Sequence, residues 1–423
     1  MKRSDEKGYL MKKVKNESLM MAILLTVAIM IPIPFKLQFA GELIIGIIGI
    51  LYCLIFNKFR LGLSSIFFGF ILLLDLILIF FESNTSFYNQ ASLFSVGDKV
   101  LLLIWAIIAI SLIRDIRETM TLFFKISLPI VLLFTVMQML NIGSMLDITY
   151  KYYNTSWRIV DLYKAIGNIQ RGLGPFEHPT SLAIYAFISL IFNTPKKGQE
   201  TKKSNSLFML LGIFIGFLSL TKTFLLLFII YIIWMLLIKA IPIKPFLSIF
   251  TGVLLVIPVL LFINSLYDGA YNPIKENMLS AFSIEGLLGT RFDSQSGMLA
   301  PILEFLRTVD ILHLFFGNGS SSTGIFIGDS QYLVVLFQSG FIGLIAIFAL
   351  LLFSVIGYKR DRQLQFLIVC IGFVGIGFTF LAAPRLTVIL VPILACGIEN
   401  INHKSHLRNE FKIDKNTQEI RGY

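Results

Sequence analysis

Apolar runs approaching 20 residues recur along nearly the whole chain, separated by polar breaks, and they constrain its fold more than any motif does. In lipid such runs can satisfy their backbone only as helices or closed barrels, and these are too long and too continuous for barrel strands. At 56% hydrophobic and 14% charged residues over 423 positions, the sequence is too apolar for a soluble domain of its length. The expectation is an all-α polytopic membrane protein with about 12 transmembrane helices and two long extracytoplasmic loops.

The expected spans are Leu19–Phe35, Phe39–Phe56, Leu61–Phe81, Val100–Ile113, Met120–Leu140, Pro179–Asn193, Leu207–Leu220, Phe224–Ile238, Phe246–Asn264, Gln331–Ile356, Phe366–Ala382 and Leu386–Ile398. The basic N-terminus precedes the first of these as in a signal peptide, but no small-x-small cleavage pattern follows, so the span reads as retained. With twelve spans, the side holding both termini carries 24 Lys and Arg against 11 on the other, with Lys125 inside a span. The positive-inside rule then makes both termini cytoplasmic and turns the two long polar stretches, 141–178 and 265–330, outward. The net charge of +11 follows from this asymmetry and does not point to nucleic acid. Cys53, Cys370 and Cys396 lie in apolar runs and form no disulfide framework.

The first outer stretch carries Tyr150, Tyr152, Tyr153, Trp157 and Tyr163 among Lys151, Arg158, Lys164 and Arg171. Aromatic faces bind sugars and Arg forks bind phosphate, while the same residues also make an interfacial belt with snorkelling cations. It ends in RGLGPFEHPTSLA, where a turn at Gly172, Gly174 and Pro175 sets Arg171, Glu177 and His178 at the mouth of the sixth span. They suit an anionic head group or ordinary anchoring. Lys222, in a short turn between the seventh and eighth spans, either snorkels or grips a phosphate. The second outer stretch holds Arg291 in LLGTRFDSQSG, a segment Met298–Phe316 suited to an interfacial or wedged helix, and Asp329 just before the tenth span. Asp329 could act as a base or as a helix cap. Asp75, in mid-span, requires a partner or a proton. No metal-ligand spacing, P-loop or dinucleotide fingerprint occurs.

Taken in order, RGLGPFEHPTSLA, LSLTKTFLLL, LLGTRF, FFGNG and GDSQYLVVLFQSGFIGL resemble the bacterial O-antigen polymerase and ligase superfamily, the Wzy-type polymerases and WaaL-type ligases. The resemblance covers about Arg171 to Leu344. It implies a metal-independent and cofactor-free glycosyltransferase of the bacterial cytoplasmic membrane. Its donor and acceptor are undecaprenyl-pyrophosphate-linked glycans, and a chain-length regulator and a flippase are candidate partners. It assigns Arg171 and Arg291 to the pyrophosphate, with Lys222 where the family commonly has Arg; Arg158 and Trp157 join the substrate-binding candidates from the residue types of the first outer stretch. Asp329 becomes the first choice of base, with His178 and Glu177 as alternates. Ligases carry a His-Asn pair where this chain has Asp329 and Ser330, which favours a polymerase. The rival from another class is a lipid-oligosaccharide flippase or other transporter, which would gather polar groups at the bilayer midplane in broken helices. The polymerase reading requires Arg171, Lys222, Arg291 and Asp329 to converge at the outer boundary.

Overall fold

The computed structural model describes residues 2–32, 39–82, 92–153, 171–194, 203–237, 307, 309, 311–317 and 330–401. These are helical throughout, with no strand among them. In chain order the helices are α1 (Lys2–Met30), α2 (Ala40–Ile55), α3 (Leu63–Glu82), α4 (Ser92–Leu112), α5 (Ile116–Met139), α6 (Met145–Tyr152), α7 (Pro179–Asn193), α8 (Lys203–Leu218), α9 (Lys222–Leu237), α10 (Ile311–Phe316), α11 (Gln331–Gly357), α12 (Arg362–Val374) and α13 (Pro384–Ile401). By length and composition α5, α11 and α13 can cross a membrane alone, and most of the others are shorter apolar helices. The expected ninth span and most of 265–330 lie outside the described residues.

The bundle is built around α7. All fifteen of its residues are buried, and α5, α8, α9 and α12 pack on it. Its aromatic side chains meet those of its neighbours: Tyr185 lies against Phe123, Phe124 and Phe176, and Phe187 against Tyr231 and Phe366. Some polar groups inside pair with each other, as with Ser127 and Tyr185 at 2.7 Å and Thr194 and Tyr231 at 2.6 Å, while Ser181 Oγ and Asn193 Oδ1 of α7 are buried with no hydrogen-bond partner. The outer helices reverse the soluble pattern. Ile44, Ile48, Leu51 and Ile55 of α2 and Ile345, Phe348, Leu352 and Ile356 of α11 are exposed apolar rows, the face that lipid covers.

Polar contacts sort the loops into two ends. At one, Glu17 of α1 accepts ion pairs from Lys58 at 3.0 Å and Arg114 at 3.3 Å. There Arg117 forks onto Asp361 with two bonds of 2.5 Å, and the Ser64 amide donates to Glu399 at 2.8 Å. At the other, Arg385 collects the ends of α1, α2, α6 and α13 and the segment before α7. These contacts join only segments that the alternation of spans assigns to one side.

Several boundaries differ from expectation for physical reasons. The fourth helix begins at Ser92 rather than Val100, which puts Asp98 and Lys99 inside it. Lys99 is tolerated there because Asp75 of α3 lies 4.0 Å from its ammonium. The eleventh expected span ends at Val374, and 375–383 fold as turns pinned by the Leu381 amide donating to the Gln331 side chain at 2.9 Å. Lys222 is the first residue of α9 rather than part of the turn. Of the expected helix Met298–Phe316, the part Ile311–Phe316 is helical. It is wedged against a break in α11, where Gly340 has φ 61° and ψ −161°. A Cβ on Gly340 would meet the Phe315 carbonyl oxygen at 2.3 Å, and one on Gly317 (φ 84°) would meet that of Gln338 at 2.3 Å.

Candidate functional site at the Arg385 end

The segment 171–178 leads directly into α7, and Gly172 to Glu177 are buried between α5, α7 and α8. Glycine makes this insertion feasible. The Gly172 amide donates to the Leu218 carbonyl at 2.8 Å, and a Cβ there would meet Thr135 Cγ2 at 2.6 Å. Gly174 takes φ 60°, and its carbonyl accepts from the Gln138 side chain at 2.7 Å. The segment 172–177 is therefore threaded into the bundle just before the central helix begins.

Arg385 holds this segment in place. It is 2% exposed, and its guanidinium donates to Glu42 at 3.2 Å, to the Ile31 carbonyl at 3.1 Å, to the Tyr152 carbonyl at 3.4 Å and to the Pro175 carbonyl. It also lies 4.6 Å from the centre of the Tyr153 ring. Its backbone amide donates to Glu177 Oε1 at 3.4 Å. Glu177 Oε2 and Glu42 Oε2 are buried with no hydrogen-bond partner. Burial pushes the Glu177 carboxyl up, with the Arg385 charge only partly opposing it. A buried acid with one vacant oxygen is suited to giving or taking a proton.

His178 is differently placed. Its Nδ1 accepts the Thr180 amide at 3.1 Å, which makes His178 the N-cap of α7. Burial, and then the nearby Arg171 charge, lower its pKa from 6.5 to about 4. The ring is neutral at physiological pH, and with Nδ1 accepting, its proton sits on Nε2. His178 thus offers a donor and a cap, and acting as a base would require losing that cap.

Arg171 is partly exposed, but its Nε is buried and has no hydrogen-bond partner. The adjoining Gly172–Leu218 bond sets it beside the turn that leads to Lys222. That turn is strained, with Leu220 at φ 47°. Thr221 Oγ1 caps α9 by accepting the Phe224 amide at 3.2 Å. A lysine at a helix N-terminus opposes the helix dipole, and together they attract an anion. Arg171, Glu177, His178 and Lys222 therefore share one end of the bundle. Trp157, Arg158, Arg291 and Asp329 lie outside the described residues. Ser330, which follows Asp329, donates to the Gly375 carbonyl at 3.2 Å, at the start of the turns whose Phe378 ring stands 5.8 Å from His178.

Sequence reasoning gave no role to Glu42 or Arg385. The available signal was their isolation, since each is the lone charge where an apolar run begins, in AGELIIG and AAPRLTV. A second polar cluster lies beside the break in α11. Asp75 is fully buried, accepts from Ser339 Oγ at 3.3 Å and faces Lys99, so the expected partner is present. Beside it a cavity of about 50 Å³ is lined in part by Asp98, Lys99, Gln331 and Gln338. That is room for about three or four water molecules. Among the described residues no group of three or more His, Cys, Asp and Glu is placed to hold a metal. No protein-family model matches the sequence, and no curated protein matches it.

Proposed function

We propose that this chain is a membrane glycan polymerase, joining undecaprenyl-pyrophosphate-linked repeat units on the outer face of a bacterial cytoplasmic membrane. The observation that carries the reading is the segment 171–178, which sets Arg171 beside the turn that leads into α9 and near His178, with the buried acid Glu177 preceding His178 in the chain. An acceptor sugar hydroxyl attacks the anomeric carbon of the donor, a carbon–oxygen bond forms, and the bond to the pyrophosphate oxygen breaks. Charge develops on the leaving pyrophosphate, where Arg171, Lys222 and Arg291 stabilise it. The hydroxyl proton passes to a base, Asp329 or Glu177. An O-antigen-ligase-like transferase would use the same parts on a different acceptor.

One observation favours a lipid-oligosaccharide flippase or other transporter. The break at Gly340, with Asp75 and Ser339 buried and Lys99 half-buried beside it, is an arrangement that transporters use. The test gives purified protein a defined lipid-linked repeat unit and resolves the products by length. A ladder of products supports the polymerase. A single transfer to a foreign acceptor supports the ligase, and unaltered glycan moved across proteoliposomes supports the transporter. Arg291→Lys and Asp329→Asn each abolish the ladder under the polymerase reading.

A further inference from the structure

At the end opposite Arg385, a groove of about 700 Å³ opens between the α2–α3, α4–α5 and α11–α12 turns and the end of α13. This volume lies within the ~300–1,000 Å³ of small-molecule sites. Its walls mix arginines with acids, and the acids are already engaged. Asp361 is forked by Arg117 and caps α12, Asp115 caps α5 by accepting the Arg117 and Glu118 amides, and Glu399 accepts the Ser64 amide. Arg114 is paired with Glu17. Two cations are left over. Arg60 and Arg360 line the groove, are exposed, and have no side-chain hydrogen bond or ion pair among the described residues.

Leu61, Ile110, Ile113 and Leu364 add apolar surface to the lining, beside Tyr358, Cys396 and Asn400. Arg60 stands between Phe59, 38% exposed, and Leu61, 68% exposed. Leu61 leads into the exposed row begun by Ile66 on α3, and the turn follows the exposed end of α2 at Ile55 and Phe56. The groove therefore joins two unspent guanidinium forks to the apolar belt that lipid covers. A soluble acidic peptide would match the forks and leave the adjoining belt unused. A diacyl phosphate matches both.

We propose that this groove binds the head group of an anionic phospholipid, with Arg60 and Arg360 on its phosphate and the acyl chains along Leu61 and the first turns of α3. The test uses full-length protein in neutral detergent, titrated separately with phosphatidylglycerol, phosphatidylcholine and glycerol 3-phosphate, with native mass spectrometry and thermal unfolding as readouts. The expected result is about tenfold stronger retention of phosphatidylglycerol than of phosphatidylcholine, with a rise in Tm that glycerol 3-phosphate does not reproduce. The double variant Arg60→Gln/Arg360→Gln loses that preference and keeps the Tm seen in phosphatidylcholine, because neither side chain holds the fold together. Equal retention of the two lipids by the wild-type protein overturns the proposal. An undiminished preference in the double variant does so too, and an equal Tm rise with glycerol 3-phosphate reduces the groove to an anion site without lipid.

Discussion

Arg385 illustrates how one charge inside an apolar bundle becomes tolerable. Its donors reach a carboxylate and three backbone carbonyls, and its face meets the Tyr153 ring. Removing it leaves Glu42 buried without a counter-charge, so Arg385→Ala should lower the unfolding free energy in mild detergent by about 3–5 kcal/mol. Arg385→Lys should recover little of this, because an ammonium cannot reproduce the planar fork. Glu42→Gln, which keeps an acceptor, should cost clearly less. His178 makes a prediction in pH. The folded ring resists protonation down to about 4 while the unfolded ring takes a proton near 6.5. Its contribution to stability is therefore complete above about pH 6.5 and is lost as pH falls toward 4. His178→Asn keeps a capping side chain and should flatten that part of the stability profile, measured by thermal unfolding across the same window. At this scale the sequence was half legible. The cluster Arg171, Glu177 and His178 stands out as charges beside glycines, whereas the partners of Arg385 come from four distant segments that no local pattern connects.

Elements were easier to read where hydrophobicity alone decides them. Pro179–Asn193 matches its expected span, whereas α5 and α12 begin at Ile116 and Arg362, ahead of the expected Met120 and Phe366, where Asp115 and Asp361 cap them. Breaks inside apolar runs were not legible. Gly340 sits within QYLVVLFQSGFIGL, which reads as uninterrupted helix until α10 is known to pack on it. Its backbone conformation is one that only glycine adopts readily. Gly340→Ala should therefore cost at least about 1–3 kcal/mol and loosen α10 from α11, seen as faster proteolysis or deuterium exchange of 311–317. Unchanged exchange there would mean that the break does not hold α10. The early start of α4 was missed for a similar reason, since Lys99 looks like a loop residue until Asp75 provides a buried counter-charge.

For the whole molecule, the two ends have different chemistry. The Arg117 end is a lattice of ion pairs that ties turns together, with Arg60 and Arg360 left over. The Arg385 end instead buries two acids with vacant oxygens, Glu42 and Glu177, at the same end as Arg171 and Lys222. That division follows from a chain crossing back and forth, which the spacing of its apolar runs already implied. Depth did not follow from spacing. The segment 171–178 is inside the bundle because Gly172 lets its backbone approach that of Leu218 and Gly174 takes a positive φ, which hydropathy does not register. The central claim is that this end grips a lipid-linked pyrophosphate during glycan transfer. The most direct measurement is the initial rate of ladder formation against donor concentration, for the wild-type protein and Arg171→Lys. A loss of about tenfold or more in kcat/KM, with the folded Tm preserved, is the predicted result. Equal rates for the two proteins, or a wild-type protein that forms no ladder from its own repeat unit, would contradict it.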